Sequence, residues 1–262
     1  MFDWSGSIMK STPQKLSVSC GSADLRFVVG GFDEVVDSLL KSQSKIGQVV
    51  LPCTLHDLAR VSSDRQIANA YQNIDVMTTD GMPLVWWFRA RLENNVERVY
   101  GPDILASVLV KKPNAKFIIL CPNQTVLDEL RKKFEDKIQQ RSVQLVVVGN
   151  SAEPAERKRL ATLVKSFGPD FVWIGVGSPN QVLLGTYLRD TVRLSITYWC
   201  VGAAIPFLAG TVRQAPRWMQ QNGLEWLFRL MNEPHRLWRR YLVITPLFLF
   251  RLLFARIRNV RV

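Results

Sequence analysis

Asp80, Arg98 and Asp103, with the glycines Gly81 and Gly101, crowd into the stretch from Met77 to Asp103, MTTDGMPLVWWFRARLENNVERVYGPD. An apolar run, Ile74 to Met77, reads as a short buried strand and breaks at Thr78-Thr79-Asp80-Gly81. Apolar residues then resume at helical spacing from Met82 to Leu92. A strand that ends in Asp-Gly before a helix puts a carboxylate at the carboxyl edge of a sheet, where α/β proteins bind ligands. Arg98, Gly101 and Asp103 follow a second break and lead into another apolar run, Ile104 to Val110. An acid, a cation and glycines beside two helix N-termini can hold an anion and remove a proton. Spacing alone equally allows Asp80 and Asp103 to be helix caps and nothing more.

A second candidate is the turn Gly175-Val176-Gly177-Ser178-Pro179-Asn180-Gln181. It is not a dinucleotide fingerprint. Asn180 stands where the third glycine belongs, and no acid occurs among Leu194 to Thr197, about 20 residues on. It reads better as a βα turn whose amides face a diphosphate, with Gln181 reaching sugar or base. A tight turn needing glycine for its backbone is the plain alternative.

These residues require a scaffold, and the pattern supplies one. Short apolar runs at 25–29, 48–53, 74–77, 116–121, 143–148, 170–175 and 194–199 alternate with amphipathic stretches of helical length, among them 54–71, 123–140 and 154–167. That alternation predicts an α/β fold, a Rossmann-like, mostly parallel sheet sandwiched by helices. With 262 residues the chain can bury one large core plus an appendage. Residues 1–22 read as a loose N-terminal arm, 23–210 as the core, and 211–262 as a helical, basic and aromatic C-terminal appendage.

The net charge is +12, and most of it lies in that appendage. From Arg213 onward there are ten arginines, no lysine, and only Glu225 and Glu233 as acids. Trp218, Trp226 and Trp238 interleave with Arg217, Arg229, Arg236, Arg239 and Arg240. Rings and stems that bury while guanidinium groups meet phosphate suit an anionic membrane surface or a polyprenyl diphosphate. Stacking on RNA, or a helical hairpin with merely solvated arginines, would use the same residues. No apolar run reaches the ~20 residues of a membrane-spanning helix. The nearest, Tyr241 to Phe254, is interrupted by Pro246 and Arg251. Met1 to Ser19 lacks an apolar signal core. Cys20, Cys53, Cys121 and Cys200 form no CxxC pair, and with His56 and His235 they offer no zinc site. A reducing, cytoplasmic compartment is expected.

The chain resembles the WecG/TagA/CpsF glycosyltransferases, family 26, over about residues 24–245. The resemblance rests on Asp80-Gly81, on Glu97-Arg98-Val99-x-Gly101-x-Asp103, and on Gly175-x-Gly177-Ser178-Pro179-x-Gln181. Most specific is the series Ala209-Gly210, Ala215-Pro216-x-Trp218, Gly223-Leu224-Glu225-Trp226 and Arg236-Leu237-Trp238-Arg239-Arg240-Tyr241. It implies an inverting transferase at the cytoplasmic face of the bacterial inner membrane. Such an enzyme moves a sugar from a nucleoside diphosphate to a polyprenyl-diphosphate-linked sugar, and its appendage docks on the membrane and helps complete the active site. This sequence departs from the family at Thr54-Leu55-His56, where Asn is common at the third place. It departs again at Val182, where Glu is common, at Ile205-Pro206 for Phe-Asp, and at Cys121-Pro122 for paired glycines. Those changes bear on the donor sugar more than on the reaction. An exopolysaccharide member could take glucose or another hexose rather than N-acetylmannosamine.

For that reaction Asp80 is the expected base, with His56 the second candidate. Arg98 and a tail arginine, Arg213 or Arg217 by proximity to the boundary, would hold the leaving diphosphate. Thr54, His56 and Gln181 would orient the donor, with Gly81, Gly101, Asp103 and Gly177 around it. The chain has no Asp-x-Asp, so neither a metal nor another cofactor is expected. Nucleic acid is not an expected partner, and a homo-oligomer covering the apolar tail is. The rival reading is a non-catalytic basic-aromatic module that grips acidic lipid or RNA.

Overall fold

The computed structural model describes residues 12–42, 44–92, 95–135, 142–254 and 260–261. Its centre is a mostly parallel sheet. In chain order the strands are β1 (Gln14–Cys20), β2 (Ala23–Val29), β3 (Gln48–Cys53), β4 (Val76–Thr79), β5 (Phe117–Cys121), β6 (Val143–Val147), β7 (Phe171–Ile174), β8 (Thr197–Cys200) and β9 (Val260–Arg261). They lie in the order β6-β5-β7-β8-β3-β4-β2-β1-β9. All pairs from β6 to β2 are parallel, and β1 pairs antiparallel with both β2 and β9. Every residue of β3 and of β5 is buried, as expected for strands covered on both faces. Trp173 and Trp199 stack across β7 and β8 with ring centroids 5.4 Å apart, deep in one face.

Helices cover both faces: α1 (Phe32–Lys41), α2 (Leu55–Ser63), α3 (Arg65–Gln72), α4 (Met82–Arg89), α5 (Gly101–Lys111), α6 (Gln124–Lys133), α7 (Pro154–Phe167), α8 (Asn180–Val192) and α9 (Ala204–Ala209). The C-terminal segment is helical too: α10 (Arg217–Gln221), α11 (Glu225–Asn232), α12 (Pro234–Trp238), a π-helical turn (Arg239–Ile244) and α13 (Thr245–Phe254). Pro216 and Pro234 sit at helix starts, as their fixed φ favours.

The structure differs from the sequence pattern in four places. The expected arm is, over Gln14–Cys20, a full strand paired on both sides, by β2 and β9; residues 1–11 lie outside the described residues. The single helix expected over 54–71 is two, because Asp64 turns the chain and accepts from Gln66 N and Ile67 N as a fresh N-cap. The last core strand starts at Thr197 rather than Leu194. Of the helix expected over 123–140, Gln124–Lys133 is observed, and 136–141 lie outside the described residues.

The carboxyl ends of β7, β8, β3 and β4 lie side by side. Their following loops therefore share one edge. At the opposite end of α8, Arg189 donates from Nη1 to the Asn73 carbonyl (2.8 Å) and to Asp75 Oδ2 (2.5 Å). Asp75 Oδ2 also accepts from Val49 N (2.7 Å). This buried guanidinium ties α8 to the entry of β4, which aims Asp80. Arg189→Met takes this donor from the Asn73 carbonyl and leaves Asp75 Oδ2 with Val49 N alone, and is expected to cost about 2 kcal/mol, read as a lowered urea midpoint without a changed slope.

Candidate active site

Asp80 follows the last residue of β4, and its amide donates to the Cys53 carbonyl (2.9 Å). That bond keeps it in line with the end of β3 before the chain turns. Gly81 makes the turn at φ +84°, a value only glycine adopts without strain, and caps α4. Arg98 reaches Asp80 because residues 96–100 run extended beside β4. Val99 N donates to the Thr79 carbonyl (2.8 Å), Thr78 Oγ1 to the Val99 carbonyl (2.8 Å), and Thr79 Oγ1 to the Glu97 carbonyl (2.7 Å). Alternation along that segment sends Val99 into the core and Arg98 out to the sheet edge. The Arg98 guanidinium lies on the Tyr100 ring, 3.7 Å from its centroid.

Arg98 Nη2 donates to Asp80 Oδ1 (3.2 Å) and to Glu225 Oε2 (2.7 Å), all three side chains at most 19% exposed. Glu225 belongs to α11, so the appendage is built into the site. Tyr100 strengthens the junction: its hydroxyl donates to Gln220 Oε1 (3.4 Å) and accepts from Gln214 Nε2. Gly223, at φ +72°, lets the tail come down on α4, since a side chain there would meet the Trp86 ring at 2.8 Å.

On the other wall, Thr54 caps α2. Its amide and hydroxyl both donate to Asp57 Oδ2 (3.0 and 2.6 Å), while Tyr71 OH donates to Asp57 Oδ1 (2.7 Å). From the π-helical turn, Arg240 Nη2 reaches Thr54 Oγ1 (3.4 Å). Gln181, buried in the first turn of α8, donates to Ser178 Oγ (3.1 Å).

Together these walls enclose a cleft of about 730 Å³. Thr54, His56, Asp80, Gly81, Arg98, Gly177 and Gln181 line it, as their chemistry suggested. Four residues chosen from the sequence do not line it. Gly101 is a packing residue: a side chain there would meet Val201 and Ala204 at 3.2 Å. Asp103 stands in the first turn of α5, outside the lining. Arg213 and Arg217 are exposed and outside it too. The lining arginines of the tail are Arg229, Arg236 and Arg240. The basic tail signalled that an arginine would arrive, but helix order after Gly223 decides which. Glu225 was equally invisible as a site residue.

The electrostatics separate the two candidate bases. Burial pushes the Asp80 carboxyl up to about 6; Arg98 opposes this, and Glu225 and then Asp57 add to it. Burial and Arg240 push His56 down to about 4 against the pull of Asp57, so its imidazole is neutral near pH 7. For Arg98, Asp80 and Glu225 outweigh burial and raise its pKa. Several buried polar atoms of the lining find no partner: His56 Nδ1, Arg98 Nε, Gln181 Oε1, Arg229 Nε, Arg240 Nε and Thr245 Oγ1. Three of them are guanidinium nitrogens. Burying such donors is costly unless an acceptor satisfies them, so the cleft has the chemistry to take a polyanion. Among the described residues no group of three His, Cys, Asp or Glu could hold a metal ion.

Over residues 23–262 the chain matches the glycosyl transferase WecG/TagA/CpsF family.

Because the Asp80 pKa is higher folded than unfolded, its ionisation weakens the fold as pH rises from about 4 through about 6. Asp80→Asn is therefore expected to raise the melting temperature at pH 8, with the difference vanishing by pH 4. Thermal melts of both proteins at both pH values test this.

Proposed function

We propose, from the premise that this chain belongs to the WecG/TagA/CpsF family and so transfers glycosyl groups in cell-envelope polysaccharide synthesis, that it is an inverting, metal-independent enzyme. It takes a hexose or N-acetylhexosamine from a UDP-linked donor and delivers it to a polyprenyl-diphosphate-linked sugar in exopolysaccharide assembly. The observation that carries this is the cluster of unpartnered guanidinium nitrogens facing a half-buried carboxylate across one cleft.

In this reading the acceptor hydroxyl oxygen attacks the anomeric carbon while its proton passes to Asp80. The anomeric carbon–oxygen bond breaks, and its electron pair leaves on the nucleoside diphosphate. Arg240 and Arg229, rather than Arg213 or Arg217, meet the charge that develops there, with Arg98 beside them. Neutral His56 and Gln181 hold polar groups of the donor. A carboxylate that titrates near 6 is a better proton acceptor at neutral pH than an imidazole that titrates near 4.

The membrane partner rests on the tail's outer surface. Trp218, Met231, Trp238 and Leu247 are exposed among arginines, and no described helix is long and apolar enough to cross a bilayer. This arrangement supports peripheral attachment at the cytoplasmic face of the inner membrane.

A panel of UDP- and GDP-sugars with a short polyprenyl-diphosphate monosaccharide, with and without EDTA, tests the reaction. Acceptor-dependent turnover is expected to survive EDTA. Its kcat/KM should fall as pH drops through about 6, and Asp80→Asn should lose about 10³-fold in turnover while still binding donor. A limb near pH 4 instead would move the base to His56.

Trp218, Met231 and Leu247 lie outside the cleft. Changing all three to Ser is expected to abolish flotation with anionic liposomes while sparing turnover on a soluble short-chain acceptor.

A further inference from the structure

We infer that Glu225 is a positioning residue: it draws the Arg98 guanidinium off Asp80 and so leaves the strand-end carboxylate free to take a proton. The inference rests on the reading of Asp80 as base, and its own observation is the shared nitrogen. Arg98 Nη2 serves both carboxylates, and the shorter contact goes to the tail, 2.7 Å against 3.2 Å. All three side chains are largely out of water, so half an ångström matters more than it would at the surface. Without Glu225, Asp80 is the one carboxylate among the described residues that pairs with that nitrogen. A close Arg–Asp pair holds the acid ionised and makes it a poor base.

The guanidinium has little freedom to settle the competition by itself. Tyr100 lies flat beneath it, and Gln214 and Gln220 hold the Tyr100 hydroxyl. Glu225 is aimed in turn by the Gly223 turn seated on Trp86 of α4, the helix that begins directly after Asp80 and Gly81. A closed circuit of packed elements therefore fixes the split contact. The other titratable groups that feel Asp80 are Asp57 from α2, the Cys53 thiol at the end of β3 and the Tyr100 hydroxyl. Asp57 is held by Thr54 and Tyr71, and neither contact involves Glu225.

The plain alternative is that Glu225 only tacks the tail to the core. The two are separated in the full-length protein by following the Asp80 carboxyl carbon by NMR against pH, its signal identified by its loss in Asp80→Asn. In the wild type it should titrate near 6. In Glu225→Gln it should fall by about one pH unit, with Glu225→Asp between, and the acid limb of kcat/KM should move with it. Tail docking is read in parallel from hydrogen exchange at Leu237 N, which donates to the Glu233 carbonyl. An unchanged Asp80 titration in Glu225→Gln overturns the inference, as does a fall accompanied by loss of Leu237 protection. Full turnover in Asp80→Asn would instead remove Asp80 as base, while the carboxyl titration still reports whether Glu225 governs it.

Discussion

A guanidinium that loses most of its water must be neutralised by groups that cannot move away, and Arg98 meets that requirement from two sides. Asp80 comes from the end of β4 and Glu225 from the appendage. Neither alone would join the tail to the core. Among the described residues from Ala215 to Phe250, only Ala215, Leu237 and Phe248 are buried, far too few to anchor a tail of this length by apolar contact. The polar junction at Arg98 and Tyr100 is therefore the contact through which the appendage becomes a wall of the cleft.

The same desolvation that makes this junction strong makes Asp80 useful and expensive. Water excluded from the cleft raises the carboxyl toward neutrality, while Arg98 keeps it from staying protonated at working pH. For the proposed role of base, the outcome lies between two failures, an exposed Asp too acidic to act and a buried one that never ionises. Sheet topology sets the balance. β7, β8, β3 and β4 end together, so glycine turns, helix N-termini and the Asp80 carboxyl converge with no single loop long enough to be mobile.

Much of this was legible in the sequence, for physical reasons that differ by element. Strands such as Phe117–Cys121 are apolar throughout, which only a doubly covered sheet allows, so the fold class could be read directly. Asp80, Gly81 and Gln181 could be read because each lies at a strand-to-helix transition, which local spacing marks. β1 was misread although Leu16, Val18 and Cys20 alternate inward along it, because its outward positions are polar and its neighbours irregular. The Ser62-Ser63-Asp64 break in the long helix was likewise a cap signal hidden inside an unbroken apolar period. The arginines that line the cleft could not be assigned, since Arg229 and Arg240 reach it through helix packing about 150 residues downstream of Asp80. Gly101 was read as a ligand contact when its work is to let α5 approach the turn after β8.

The choice of arginine over lysine throughout the appendage follows from the surroundings these cations meet. Arg229 stands over the Phe207 ring, Arg239 over Trp238 and Arg240 over Tyr241, at 5.3 to 5.7 Å from the ring centroids, in the same manner as Arg98 over Tyr100. A planar guanidinium can lie on an aromatic face and still direct its edge at phosphate; an ammonium group has no such edge and holds its water more tightly. Half-buried beside tryptophan and tyrosine, a lysine would also be pressed toward its neutral form, whereas arginine stays charged. On the proposed function, a tail that rests on lipid and closes over a diphosphate can do both only with side chains that keep their charge when partly buried, as arginines woven among tryptophans do.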